Sequence, residues 1–395
     1  MTTQTRRKGL SAPKHEQASV LGTLTPEEFL RDYWQKKPLL IRQAIPGFGD
    51  ALPRDALLEL ARREDVESRF VAHDSTEWQV ARGPFSKAQQ KRWKGKWTVL
   101  IQGVNLVFPF GDQLLKRFNF IPHARLDDLM VSYATDGGGV GPHIDNYDVF
   151  LLQGTGRRRW RIGKQTDQRL IEGAPLKILR DFQPEHDWIL EPGDMLYLPP
   201  DWAHDGTAEG ECMTWSIGFR TAPAQELAAQ FLDFLQDHLA DNSTITGRYA
   251  DPDLQRQEHP GEISEAMVRK VSELLRLIQW DEALVRDFLG ASLSEPKAHV
   301  FFDAPEPTLS LAAFGKRVKK DGLHLDARSR MLFAQGAFYL NGETVVAPPE
   351  SHAALISLAD LRELRASTLA QEAANTPLFE CLYDWYECGF LHPGT

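Results

Sequence analysis

Cysteine is scarce in this chain of 395 residues: Cys212, Cys381 and Cys388 form no CxxC pair and no even set. That excludes a disulfide framework and implies a reducing compartment, so the expected location is cytoplasmic. Basic charge is also in deficit. With 45 Lys and Arg against 55 Asp and Glu, the formal net charge is −10, which argues against nucleic acid as the main partner and suits a chain that meets a basic one. No apolar run is long enough to cross a membrane. The stretch from Met1 through Val20 is polar and basic, so it reads as a mobile tail over 1–20 rather than a secretory signal. A hydrophobic content of 42% and a charged content of 25% leave a soluble globular protein with a well-buried core.

What is present is concentrated at Gly137-Gly138-Gly139-Val140-Gly141-Pro142-His143-Ile144-Asp145. Side chains alternate along a strand, so His143 and Asp145 share one face of a short piece of backbone. An imidazole and a carboxylate there, joined by a second imidazole from elsewhere, make a donor set for Fe(II) that leaves coordination positions open. A His-x-Asp triplet alone is weak evidence, and its surroundings decide. Val149 to Gln153, the turn Gly154-Thr155-Gly156 and Arg157 to Ile162 read as strand, tight turn and a strand returning beside the metal strand. On the returning strand Arg158, Trp160 and Ile162 share a face that must be buried, with Arg157, Arg159 and Arg161 in water. A buried guanidinium needs an anionic partner. A bound carboxylate would serve, as would a carboxylate of the protein itself.

A third ligand is expected from Leu190 to His204, which reads as a Pro-Gly-Asp turn, a short apolar strand, a Pro-Pro break and then His204. Its alternative is an ordinary histidine at a strand end. From Met213 to Arg220 the sequence alternates again, so Thr214 and Ser216 look away from Met213, Trp215, Ile217 and Phe219. If that face lines the cavity, Thr214 is a donor to a bound carboxylate. Elsewhere, Thr25-Pro26-Glu27-Glu28 is a capping box opening a helix through Trp34, Leu39 to Ile41 reads as a strand, and further strands are expected over 99–105 and 129–133. Many short strands between residues 38 and 220 argue for a double-stranded β-helix within an α+β chain.

Here the residues resemble a known family, the JmjC branch of the cupin-fold 2-oxoglutarate and Fe(II) oxygenases. The likeness runs through Gly-Pro-His143-x-Asp145, a basic residue fifteen positions after that histidine, and His204. More closely, the stretches from Gly137 to Arg161 and from His204 to Arg220 are similar to the bacterial ribosomal oxygenases, which hydroxylate an arginine of the sixteenth protein of the large (50S) ribosomal subunit. Many JmjC proteins carry lysine where this chain has Arg158, and the arginine agrees with the bacterial subgroup. The likeness covers roughly residues 21 to 220, and the remainder by general layout. It implies a jelly-roll barrel in which His143, Asp145 and His204 hold Fe(II). The cosubstrate 2-oxoglutarate would be anchored by Arg158, and O2 consumed with release of succinate and CO2. If the target is an arginyl side chain, an acidic group should hold its guanidinium. Asp136 is the candidate, with a plain turn role as its alternative, and Gln102 is a candidate for the cavity wall. Competing readings are a JmjC hydroxylase or demethylase of another protein side chain, and a non-enzymatic cupin-type ribosome-docking protein.

The expected divisions are an oxygenase domain over 21–222, a helical region over 223–293 and a winged-helix-like domain over 294–395. Leu227, Phe231, Phe234, Leu235 and Leu239 recur at helical spacing, as do Val268, Val271, Leu274, Leu275 and Ile278 in a helix over 263–280, on either side of a polar linker over 240–261. Core packing accounts for such stripes by default. Two amphipathic helices after a complete barrel also suit a homodimer interface, which the resemblance implies. Helices over 311–319 and 353–365 flank strands over 331–339 and 344–347, joined at Asn341-Gly342. From Ala291 to Thr395, nine Lys or Arg stand against thirteen Asp or Glu, a balance of −4, so a docking or structural role is expected rather than direct DNA binding. A second triplet, His324-Leu325-Asp326, lacks the glycine lead-in and has Tyr339 fifteen positions on, so it reads as a surface coincidence.

Overall fold

The computed structural model describes residues 19–49, 51–74, 77–242, 248–370 and 376–394. Most of the expected tail lies outside the described residues. Its last residue does not behave as tail, since Val20 is 2% exposed and packs in the main core. The chain divides into two compact units, Met1–Thr221 and Ala222–Thr395.

The first unit opens with the helix Pro26–Asp32, set by the capping box: Glu28 N donates to Thr25 Oγ1 at 3.2 Å and Thr25 N to Glu28 Oε2 at 2.9 Å. The helix buries Phe29, whose ring meets Tyr197 at 4.9 Å and Phe150 at 5.4 Å, a contribution of about 2–3 kcal/mol from one aromatic side chain. Twelve strands follow: β1 Leu39–Ile41, β2 Ser68–His73, β3 Trp78–Arg82, β4 Trp97–Ile101, β5 Leu126–Ala134, β6 His143–Ile144, β7 Asp148–Gln153, β8 Arg157–Gly163, β9 His186–Leu190, β10 Met195–Leu198, β11 Ala203–Glu209 and β12 Cys212–Phe219. They form two antiparallel sheets, ordered β1-β10-β7-β12-β5-β4-β2-β3 and β6-β11-β8-β9. This is the expected double-stranded β-helix.

The paired sheets correct two local expectations. Strand β7 pairs with β10 and β12, whereas β8 pairs with β11 and β9. The turn at Gly154 to Gly156 therefore carries the chain from one sheet to the other, and no hairpin ladder forms across it. The two strands instead face each other, Val149 and Leu151 of β7 packing in one core cluster with Trp160 and Ile162 of β8, which outweighs the local preference for pairing across a short turn. Similarly, the strand expected over 99–105 ends at Ile101, because Gly103 takes a left-handed φ of 62° and starts the helical turn Val104–Val107.

The second unit carries helices Ala224–Asn242, Glu265–Leu275, Glu282–Ser294, Leu311–Asp321, His352–Leu361 and Pro377–Glu387. The apolar run over 331–339 makes two strands rather than one. Gln335 and Gly336 both adopt positive φ, 49° and 86°, and fold it back, giving a three-stranded meander of Met331–Ala334, Ala337–Leu340 and Glu343–Val345. The helix expected to reach 365 stops at Leu361, where Arg362 turns left-handed. Helix Glu282–Ser294 packs on the meander. Tyr339 donates to Asp287 at 2.6 Å and Gly342 N to Ser294 Oγ at 3.1 Å, so the expected boundary at 293/294 cuts through a packed element.

Asp326 is no surface coincidence either. It is 9% exposed and accepts from His392 at 2.8 Å and from Arg328 Nε at 2.7 Å. Burial opposes its charge, but these hydrogen bonds outweigh burial and hold the carboxyl well below its ordinary value. A depressed carboxyl stabilises the fold above the unfolded pKa of about 4 and loses that contribution as pH falls toward the folded value. Asp326→Asn is expected to lower the stability of this unit by about 3 kcal/mol at pH 7 in urea unfolding, with the deficit shrinking below about pH 4. An undiminished deficit at low pH would contradict the assignment.

Candidate metal and cosubstrate site

Strand β11 brings the separated parts of the site together. Its register sets His204 opposite His143 of β6, and on its other side Gly206 opposite Trp160 and Ala208 opposite Arg158 of β8. The imidazole rings lie 4.2 Å apart at 57°. Asp145 follows β6 directly, with Oδ2 at 3.5 Å from Nε2 of His204 and 3.9 Å from Nε2 of His143. One donor atom from each of the three residues falls within 4.8 Å of the others, and theirs is the one such His, Cys, Asp or Glu group among the described residues.

The backbone fixes which nitrogens are offered. Nδ1 of His143 donates to the Gly141 carbonyl at 2.8 Å, and Nδ1 of His204 to the Trp202 carbonyl at 2.9 Å. Each ring thereby holds its proton on Nδ1 and turns Nε2 inward, the outer-shell arrangement of a histidine ligand. Gly141 is required here: its φ is +79°, and a Cβ on it would lie 2.7 Å from the Trp78 ring. Burial and the neighbouring His204 lower His143 to about 4, leaving it neutral at pH 7. Burial opposes charge on Asp145, yet its contact with the His204 imidazole outweighs burial and holds that carboxyl at about 2. His204 is buried too, which works against its charge, but its contact with Asp145 raises it on balance. One anion between two imidazoles is a centre arranged for a divalent cation, and two nitrogens with one oxygen suit Fe(II), Mn(II), Co(II) or Ni(II).

The three residues line a cavity of about 410 Å³, with Arg158, Trp160, Gln102 and Ser216 among its other walls. Arg158 is drawn inward as expected, 5% exposed. Its outward neighbours pair with acids: Arg157 with Glu209 at 3.5 Å, Arg159 with Asp187 at 2.5 Å, and Arg161 with Asp205. Arg158 has no such pair. Its Nε and Nη2 are buried without a hydrogen-bond partner, so the alternative of a protein carboxylate is not met among the described residues. A buried guanidinium left in that state costs about 3–5 kcal/mol. An anion entering the cavity would offset the cost.

Gln102 stands in the cavity wall with its Oε1 buried and unpartnered. Two other expected residues lie outside the cavity lining. Thr214 donates to Gln153 at 3.3 Å and is not among the lining residues, whereas Ser216, two positions on along the same face, is. Asp136 is exposed and accepts from Gly210 N at 2.7 Å, clamping the β11–β12 turn. The short acceptor geometry of a turn prevails there. Among the lining residues without an assigned role in the sequence are Tyr147, Arg69 and Lys177. Tyr147 continues the alternation of His143 and Asp145, a signal that could have found it. Arg69 lies on β2, which runs Ser-Arg-Phe-Val-Ala-His without strict alternation and lies far from the motif in the chain, so its destination was hidden.

Comparison with known proteins places this geometry. The JmjC domain family matches residues 113–227, and the ROXA-like winged helix family matches residues 277–392. The ribosomal protein uL16 3-hydroxylase of Escherichia coli is 35% identical over 330 residues, covering 82% of this chain and 87% of that protein. A probable ribosomal oxygenase of Haemophilus influenzae is 45% identical over 203 residues, half of each chain. The X-ray structure of E. coli ycfD superposes with a TM-score of 0.81 at 32% identity, covering 94% of this chain and 98% of that one. A structure of the same ribosomal oxygenase in complex with cobalt and 2-oxoglutarate gives a TM-score of 0.79 at 31% identity, with the same coverage of both chains.

Replacing a ligand tests the centre directly. His143→Ala is expected to weaken cobalt(II) binding, followed by calorimetry, by more than about a hundredfold, beyond the roughly 10–100-fold typical of outer-shell losses. Unchanged affinity would place the metal elsewhere.

Proposed function

The chain belongs to the JmjC-domain ribosomal oxygenases, and on that premise we propose that it hydroxylates an arginine side chain of uL16, the sixteenth protein of the 50S subunit. The reaction would use Fe(II), O2 and 2-oxoglutarate and release succinate and CO2. The carrying observation is the meeting of His143, Asp145 and His204 in one cavity with a buried, unpaired Arg158. In this reading the three ligands hold iron, and Arg158 pairs the far carboxylate of 2-oxoglutarate, bidentately where geometry allows. When bound, iron with its cosubstrate supplies the oxidising power to insert oxygen into an unactivated C–H bond. The chain's own work is placement. The two Nδ1–H bonds keep the imidazoles aimed, and the apolar walls Val149, Leu151 and Ile178 exclude water from the reacting centre.

A cationic target needs a carboxylate near the cavity, and Asp136 is committed to its turn. Asp127 and Asp128, whose charge reaches Tyr147 at the cavity, are committed as well, to Arg220 at 3.2 Å and to the Gly103 N–H at 3.0 Å. A basic ribosomal protein also suits the net charge of −10. No helix among the described residues is long and apolar enough to cross a membrane; we place the enzyme in the cytoplasm, where its substrate is made.

We also read the exposed apolar side chains of the helical region as a homodimer surface. Leu232 is 61% exposed, Leu275 59% and Trp280 55%, more than a solitary helix pair in water favours. Leu275→Glu is expected to shift sedimentation from dimer to monomer. A monomeric parent chain would remove the reading.

Mass spectrometry after incubation with iron and 2-oxoglutarate is expected to find an oxygen added to one arginine of uL16, and none with His143→Ala. Addition to a histidine, or loss of methyl groups, would select another JmjC chemistry. Succinate formation unaffected by His143→Ala would favour a docking protein. Arg158→Met is expected to raise the 2-oxoglutarate KM by about 30-fold or more, as loss of a charge-assisted pair of about 2–3 kcal/mol requires.

A further inference from the structure

A second buried donor sits beside Arg158 and has no role in the site as described. Trp160 is 5% exposed and lines the cavity, and its indole Nε1 is buried without a hydrogen-bond partner. An indole N–H can only donate, and a buried one normally finds an acceptor. Trp215 shares the unpartnered state, but it packs in the main core and does not line the cavity.

The position of Trp160 is specific. Its ring lies 5.9 Å from the ring of His204 on one side and 5.7 Å from Cζ of Arg158 on the other. The indole thus spans the gap between the metal side of the cavity and the guanidinium. The chain gives up a side chain to seat it there: Gly206 stands opposite Trp160 in the β11–β8 register, and a Cβ at Gly206 would lie 2.6 Å from the indole six-membered ring. Two residues that share one strand face and line one cavity thus each carry an unmet donor.

We propose that the Trp160 indole N–H is a cosubstrate-binding donor, directed at the same distal carboxylate that Arg158 pairs. This rests on the proposed use of 2-oxoglutarate and adds a residue to it. One carboxylate presents about four acceptor sites, enough for a guanidinium and an indole together. The pair would favour dicarboxylate 2-oxo acids over monocarboxylate ones, because a shorter acid leaves both donors buried and unmet.

The test uses the full chain loaded with zinc(II) and labelled with 15N-tryptophan, the Trp160 indole resonance being assigned through its side-chain connectivities so that the readout does not depend on a variant. Adding 2-oxoglutarate is expected to move that proton resonance downfield, and oxalate, which chelates the metal without a distal carboxylate, to leave it in place. Trp160→Phe is expected to weaken 2-oxoglutarate binding about tenfold, the worth of one hydrogen bond, with zinc affinity unchanged. An indole signal that ignores saturating 2-oxoglutarate, or that responds equally to oxalate, overturns the inference while leaving the proposed function intact. Failure of the zinc-loaded parent chain to bind 2-oxoglutarate at all overturns both.

Discussion

The register of β11 is the constraint from which the site follows. That strand pairs with β6 on one side and β8 on the other, and in a single ladder it sets His204 against His143 and Ala208 against Arg158. A slip of one residue would turn His204 out of the barrel and break the metal centre. What prevents the slip is packing. Ile162, Leu190 and Leu198 are buried at 0–1% exposure in the core cluster around Trp160, and the outward arginines of β8 are tied to Glu209, Asp187 and Asp205 on the flanking strands. Those partly exposed ion pairs each contribute little to stability. Their geometry nevertheless matches only one register.

Electrostatics inside the barrel complements this framework. The cavity gathers two imidazoles, one carboxylate and a guanidinium, and the two imidazoles are fixed by backbone carbonyls rather than by long side chains. Such fixed donors keep their aim without reorganising when a cation arrives. The unmet atoms of Arg158 and Trp160 are the counterpart. They mark the part of the site that a ligand, and not the protein, completes.

Much of this was legible in the sequence because the relevant patterns are local. His143 and Asp145 are two residues apart, Arg158 and Trp160 follow from strand alternation, and the capping box at Thr25 states the start of a helix. Harder to read were features decided between distant strands. The switch of β7 and β8 into different sheets depends on which wall each buries against. The choice of Ser216 over Thr214 as a lining residue depends on depth in the barrel, which alternation does not encode. Asp136 took the turn role held as its alternative, and the burial of Asp326 was hidden because one of its partners, His392, is over sixty residues away, although Arg328 lies two positions on.

The central claim is the convergence of three metal ligands and one anchoring arginine on a single bound complex. A crystal structure of the full chain with manganese(II) and 2-oxoglutarate tests it most directly. The account predicts the metal on Nε2 of His143, a carboxylate oxygen of Asp145 and Nε2 of His204, with the distal carboxylate of the cosubstrate against Arg158. A metal bound elsewhere, or a cosubstrate whose far end lies away from Arg158, would contradict it.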